Sequence, residues 1–157
     1  MINTKRRVFL KGTLASGAIA VAVGAGLLTP RRVLAAWPKD AFQAKEVQNA
    51  LKGLYGTDLT APSDAITIKA PDIAENGAVV PITVSTNLPN VSSISIIAEH
   101  NPTPLAASFN LASNAEGFIS TRIKMGKTSN VIAAVKSGDK VYSARKEVKV
   151  TIGGCGG

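Results

Sequence analysis

From about Thr57 onward, apolar residues recur at every second position, in short runs broken by turn residues. A period of two sends successive side chains to opposite faces of a strand, whereas a helix needs a period of 3.6. The runs are Ala65–Ala70, Ala78–Thr86, Val91–Glu99, Leu105–Leu111, Phe118–Met125, Asn130–Lys136 and Lys140–Ile152. In the third, Ile94, Ile96 and Ala98 share a face; in the fifth, Ile119, Thr121, Ile123 and Met125 do. Glu75-Asn76-Gly77, Leu88-Pro89-Asn90, Asn101-Pro102, Glu116-Gly117 and Gly138-Asp139 separate them with turn chemistry. Gly138-Asp139 reads as a two-residue hairpin loop. Pro81 lacks a ladder donor and predicts an edge or a bulge. Seven short strands with frequent turns define a mainly β chain, an immunoglobulin-like antiparallel β-sandwich.

One segment ahead of the strands keeps a helical period. Within Asp40–Tyr55, Ala41, Ala44, Val47, Leu51, Leu54 and Tyr55 recur at spacings of three and four and make one apolar stripe. Asp40 with Gln43 has the spacing of a capping box, and Gly56 is a stop. One amphipathic N-terminal helix is the expectation, its stripe serving packing.

The last run leads into the chain's chemistry. Tyr142, Ala144, Val148, Val150 and Ile152 fall on one face, interrupted by Lys146; Val141, Ser143, Arg145, Glu147, Lys149 and Thr151 fall on the other. Gly153 ends the strand, and Gly153-Gly154-Cys155-Gly156-Gly157 closes the chain with its single cysteine. Glycine offers no side chain to cover the sulfur and leaves the backbone free to swing. Residues 153–157 therefore read as a flexible arm carrying a thiol. Gly153 to Cys155 extends at most roughly 10 Å, at ~3.3–3.6 Å per residue, enough to enter a partner's cleft.

The opposite terminus reads as an address. Residues 1–36 hold Lys5, Arg6, Arg7, Lys11, Arg31 and Arg32 and no acid. Arg6-Arg7 followed by Val8-Phe9-Leu10-Lys11 has the form of a twin-arginine signal, and Gly12–Leu28 is apolar and rich in Ala and Gly. Cleavage after Ala35 or Ala36 makes this an export signal rather than a membrane anchor. Export to the periplasm as an already folded chain follows, with residues 37–152 forming helix and sandwich. The net charge of +8 belongs mostly to this leader, since 12 basic residues face 10 acidic ones in the remainder. A nucleic-acid binder keeps its basic patch in the folded part, so nucleic acid is excluded as a partner.

A single cysteine in an oxidising compartment cannot close an intrachain disulfide. It is a free thiol, an intermolecular disulfide or a carrier of something covalent. Cys155 is the one strong nucleophile, because the thiolate is the group that can be sulfurated. His100, the only histidine, falls at a strand end or loop in Glu99-His100-Asn101-Pro102 and reads as structural or solvent-facing. One histidine supplies neither a triad nor a blue-copper site. Asp72 and Glu75 read as turn residues rather than paired catalytic carboxylates. No phosphate loop is present. The reading is of a non-catalytic chain without cofactor or metal. The alternative is an exported protein that uses Cys155 for a stable intermolecular disulfide.

The leader, the helix, the sandwich and the terminal Gly-Gly-Cys-Gly-Gly together resemble the SoxY family, the sulfur carriers of bacterial thiosulfate oxidation. The specific parts are Val148–Ile152 running into Gly153–Gly157, and the stretch Ala70-Pro71-Asp72-Ile73-Ala74-Glu75-Asn76-Gly77. Lys5 stands where such signals often have Ser or Thr. The resemblance implies covalent sulfur intermediates on Cys155 and a smaller immunoglobulin-like partner, a SoxZ-like subunit without its own signal. It also implies a haem-containing enzyme that joins sulfur substrates to the thiol, a hydrolase that releases sulfate, and a sulfur dehydrogenase for the remaining sulfane.

Overall fold

A computed structural model describes residues 38–151. The leader (1–36) and the terminal arm (153–157) lie outside these residues. The chain divides into two units, 1–37 and 38–157, and the described residues all belong to the second.

Eleven elements follow one another: α1 (Lys39–Gln43), α2 (Val47–Tyr55), β1 (Ala61–Pro62), β2 (Ile66–Lys69), β3 (Ile73–Ala74), β4 (Val80–Thr86), β5 (Val91–Ala98), β6 (Leu105–Asn110), β7 (Phe118–Ile123), β8 (Ser129–Ser137) and β9 (Lys140–Val150). The larger sheet runs β1-β9-β8-β5-β6, with β3 also on β9; the smaller runs β2-β4-β7. All seven expected strands are present in an immunoglobulin-like sandwich. Pairing is antiparallel except at β1 and β3, two-residue strands parallel to β9. Two residues carry no alternation, so neither short strand was predicted.

The faces follow the period-two pattern. Ile94, Ile96, Ala98, Val131, Ala133, Val135 and Val148 of the larger sheet pack on Ile66, Val80, Ile82, Val84, Ile119 and Ile123 of the smaller, joined by Met125. Gly138 takes φ +57° in the β8–β9 hairpin, the left-handed value glycine adopts without strain. Pro81 sits in the central strand of the smaller sheet, yet β2 reaches only to Thr83, so at Pro81 the strand has β7 alone as neighbour. The edge expectation therefore holds locally, where a missing donor is tolerated.

The helical segment departs from its expectation. It is two helices, broken where Ala44 turns extended (φ −56°, ψ 142°) and Glu46 stays extended. Asp40 and Gln43 form no capping box: Pro38 holds the N-cap position and no side chain caps the helix. The physical reason is that α1 folds back on α2. A Cβ placed on Gly53 would lie 2.9 Å from Ala41 Cβ, whereas twelve residues along one straight helix are separated by about 18 Å. Only a break lets the two meet. The stripe survives: Ala41, Leu51, Ala44, Val47, Leu54 and Tyr55 all pack on Ile97, Leu105, Ile132, Ala134 and Val141, the other face of the larger sheet. Gly56 ends α2 as expected, with φ +74° and its amide donating to Lys52 O at 2.9 Å.

Three layers result: helices, larger sheet, smaller sheet. The larger sheet is covered on both faces, which is why β5 is buried from Ser93 to Ala98 and β8 from Val131 to Val135 without alternation.

Candidate functional site

Cys155, Gly153, Gly154, Gly156 and Gly157 lie outside the described residues. What the fold positions is the base from which they depart, the end of β9. Along one side β9 pairs with β8 over nearly its whole length, from Ser137↔Lys140 to Ser129↔Val148. On the other side it meets β1 at Tyr142 and Ser143, and β3 at Lys149 and Val150.

The final residues of β9 are held from both sides. The regular ladder to β8 stops at Val148, and a side chain extends it. The Val150 amide donates to Thr128 Oγ1 at 2.9 Å, and that hydroxyl lies 3.5 Å from Val150 O. From the opposite side, Lys149 N donates to Asp72 O at 3.0 Å and Thr151 N to Ala74 O at 3.1 Å. Backbone groups at a strand end otherwise face water, so each bond holds the end of β9 in place.

The 70–77 stretch thus clasps the base of the arm. It is held in turn by close packing at Gly77. Met125 N donates to Gly77 O at 2.7 Å. A Cβ on Gly77 would fall inside contact distance of the Met125 carbonyl oxygen and 2.8 Å from Val150 Cγ1. Asn76 Oδ1 accepts from Ala78 N at 2.9 Å and shapes the turn that follows. Lys146, the charge interrupting the apolar face of β9, reaches Asp72 at 3.1 Å. Asp72 is therefore an ion-pair and backbone partner of β9. Glu75 is exposed in the same turn.

His100 is exposed, and its Nδ1 lies 3.1 Å from Thr128 O. A carbonyl oxygen only accepts, so this bond places the hydrogen on Nδ1. Asn101 joins the same corner by donating to Lys124 O at 2.7 Å and accepting from Gly126 N at 3.0 Å. His100 thus fastens the loop that carries Thr128, in agreement with a structural, solvent-facing role. Among the described residues, no cluster of three His, Cys, Asp or Glu side chains is arranged to hold a metal. The one displaced titration among the described residues belongs to Tyr55, at the end of α2. Burial raises its pKa above the ordinary 10.0, against lowering hydrogen bonds from Ser95 and Ser93.

A sandwich whose last strand is clasped on both sides and leads in sequence to the chain's one cysteine has the build of a carrier protein. Comparison with known proteins agrees. The family model of sulfur oxidation protein SoxY matches residues 51–155, a span that ends on Cys155. The solved structure of the sulfur carrier protein SoxY from Chlorobium limicola f thiosulfatophilum is similar at 42% sequence identity, with TM-score 0.63, covering 73% of this chain and 100% of that one. No curated protein matches. The chain belongs to the SoxY family and is a sulfur carrier, a role that implies partner proteins in the Sox system.

Thr128 was not legible as a site residue, since a lone threonine after Lys124–Lys127 carries no motif. The 70–77 stretch was legible only through the family resemblance, because it acts through backbone carbonyls.

Proposed function

We propose that the chain holds sulfur intermediates covalently on Cys155 and presents them to partner enzymes in the periplasm, itself performing no catalysis. The observation that carries this reading is the placement of the only cysteine, between paired glycines, beyond a strand end clasped by Thr128, Asp72 and Ala74. The clasp gives the arm a fixed origin. Counted from Thr151, four Cα steps reach Cys155 and span up to about 14 Å. Gly153, Gly154, Gly156 and Gly157 keep this tether narrow and free to turn, so the sulfur enters a cleft that excludes the sandwich.

The chemistry balances as follows. The Cys155 thiolate and thiosulfate combine into a cysteine S-thiosulfonate with the release of two electrons, which a haem-containing partner enzyme would take up one at a time and hand on to an external electron acceptor. Water then cleaves the terminal sulfur–sulfur bond with the help of a partner hydrolase. Sulfate and two protons leave, and a persulfide anion remains on Cys155 for a sulfur dehydrogenase to oxidise. An unperturbed thiol is only a few per cent thiolate at neutral pH, so activation falls to the partner's active site. The twin-arginine leader carries the chain out folded, together with a SoxZ-like subunit that lacks a signal of its own. No cofactor is resident; the bound sulfur is cargo.

Intact mass spectrometry after incubation with thiosulfate and the partner enzymes tests the reading. An adduct on Cys155 that disappears in Cys155→Ser, together with loss of thiosulfate oxidation, is the expected result. Full oxidation by Cys155→Ser would sink it.

A further inference from the structure

At the β8–β9 hairpin end of the sandwich, the helices stop short of covering the larger sheet. α2 ends at Tyr55, which covers the buried Ser95 and Ala134, and two cross-strand rows of the same face meet at this point, with Ser108, Lys136 and Asn110 reaching the surface. Ala134, Ser95 and Ser108 form one row across β8, β5 and β6; Lys136, Ser93 and Asn110 form the next. Tyr55, Ser92, Ser93, Ser108, Asn110 and Lys136 line a cleft of about 200 Å³ here. Its polar lining is hydroxyls, one carboxamide and one ammonium group, with no carboxylate. Ser93 is nine-tenths buried, and Lys136 is half-buried and makes no ion pair among the described residues.

We propose that this cleft binds a small tetrahedral oxyanion, of the sulfate or phosphate type, independently of the carrier reading of Cys155. The hydrogen-bond chain behind it has the polarity an anion needs. Tyr55 Oη lies 2.7 Å from Ser95 Oγ, and Ser95 Oγ lies 2.9 Å from Ser108 Oγ. Each hydroxyl has one hydrogen to donate. When Tyr55 donates to Ser95 and Ser95 to Ser108, the Ser108 hydrogen is left for a ligand. The competing orientation sends the Tyr55 hydrogen to Ala134 O at the longer distance of 3.3 Å. An anion at Ser108 selects the first orientation, because aligned hydroxyls reinforce one another. Asn110 adds amide donors and Lys136 the charge-assisted bond. The volume is below the roughly 300–1,000 Å³ of sites for drug-sized ligands, which points to a small inorganic anion.

The test is an NMR amide-shift titration of the reduced full chain with sodium sulfate and, separately, sodium phosphate at constant ionic strength. Saturable shifts centred on Ser93, Ser108, Asn110 and Lys136 are expected with at least one of the two anions. Lys136→Ala should weaken that binding by about tenfold or more, the usual weight of a charge-assisted hydrogen bond. Ser108→Ala should weaken it too, whereas Lys124→Ala, at the opposite end of the sandwich where β9 stops, should not. Shifts that never saturate, that centre on Lys124 and Lys127, or that are unchanged in Lys136→Ala would overturn the proposal. Because Lys136 and Ser108 lie outside the buried core, unchanged dispersion of the remaining amides confirms that each variant is folded.

Discussion

The hydroxyl of Thr128 accepts the amide hydrogen of Val150 at 2.9 Å and so continues by side chain a ladder that the backbone of β8 leaves at Val148. Together with Ala74 O, which accepts from Thr151 N on the other side of β9, it holds the strand end that leads in sequence to Cys155. For a tethered carrier, that point determines reach.

Thr128→Val keeps the shape and removes the acceptor. The expected cost is about 0.5–1.5 kcal/mol, the net weight of a typical hydrogen bond, at the low end because the site is exposed. Hydrogen exchange should report it locally, with the Val150 amide exchanging faster and core β5 and β8 amides unchanged. Thr128→Ser should restore protection.

Gly77→Ala places a methyl group against the Met125 carbonyl and Val150 Cγ1. Backbone cannot yield as a side-chain tip does, so the variant should lose about 1–3 kcal/mol in urea denaturation, the usual penalty of overpacking. Gly138→Ala meets nothing within 4 Å but sits at φ +57°, so any loss there comes from backbone strain alone.

Asp72→Asn should hardly matter to stability. The Lys146–Asp72 pair is mostly solvent-exposed on the Asp72 side, and such pairs contribute at most about 1 kcal/mol, screened by salt. What Asp72 gives the clasp is its carbonyl oxygen, which the substitution retains. Protection of the Lys149 amide should therefore persist, and a large loss would show that the side chain, not the backbone, holds β9.

Tyr55 makes stability depend on alkaline pH. Burial raises its pKa above the ordinary 10.0, so the folded chain keeps a proton that the unfolded chain releases. With the folded state binding more protons, stability is full below about pH 10 and falls as pH climbs toward the raised pKa. Tyr55→Phe should remove this contribution to the alkaline slope, at a neutral-pH cost of about 1 kcal/mol for the lost Ser95 bond. Urea midpoints for both proteins between neutral pH and pH 11 check the sign.

Much of the architecture was legible because alternation is a local property. Ile94, Ile96 and Ala98 face the core as their spacing requires, and Gly138 turns the last hairpin as its φ demands. The helical stripe named the right packing residues, yet the helix count was short by one. Nothing local marks Ala44 for a break; contact between Ala41 and Gly53 does.

By itself the sequence determined the strand faces, the turns and the isolation of the one cysteine among glycines. These depend on side-chain type and spacing, which a linear chain displays. Only the tertiary structure decided that the larger sheet is buried on both faces, that β3 runs parallel to the end of β9, and that Thr128 completes its ladder. Those outcomes rest on backbone hydrogen bonds and on contacts between residues distant in the chain. A carbonyl oxygen such as that of Ala74 is the same in every residue, and only folding assigns it a partner.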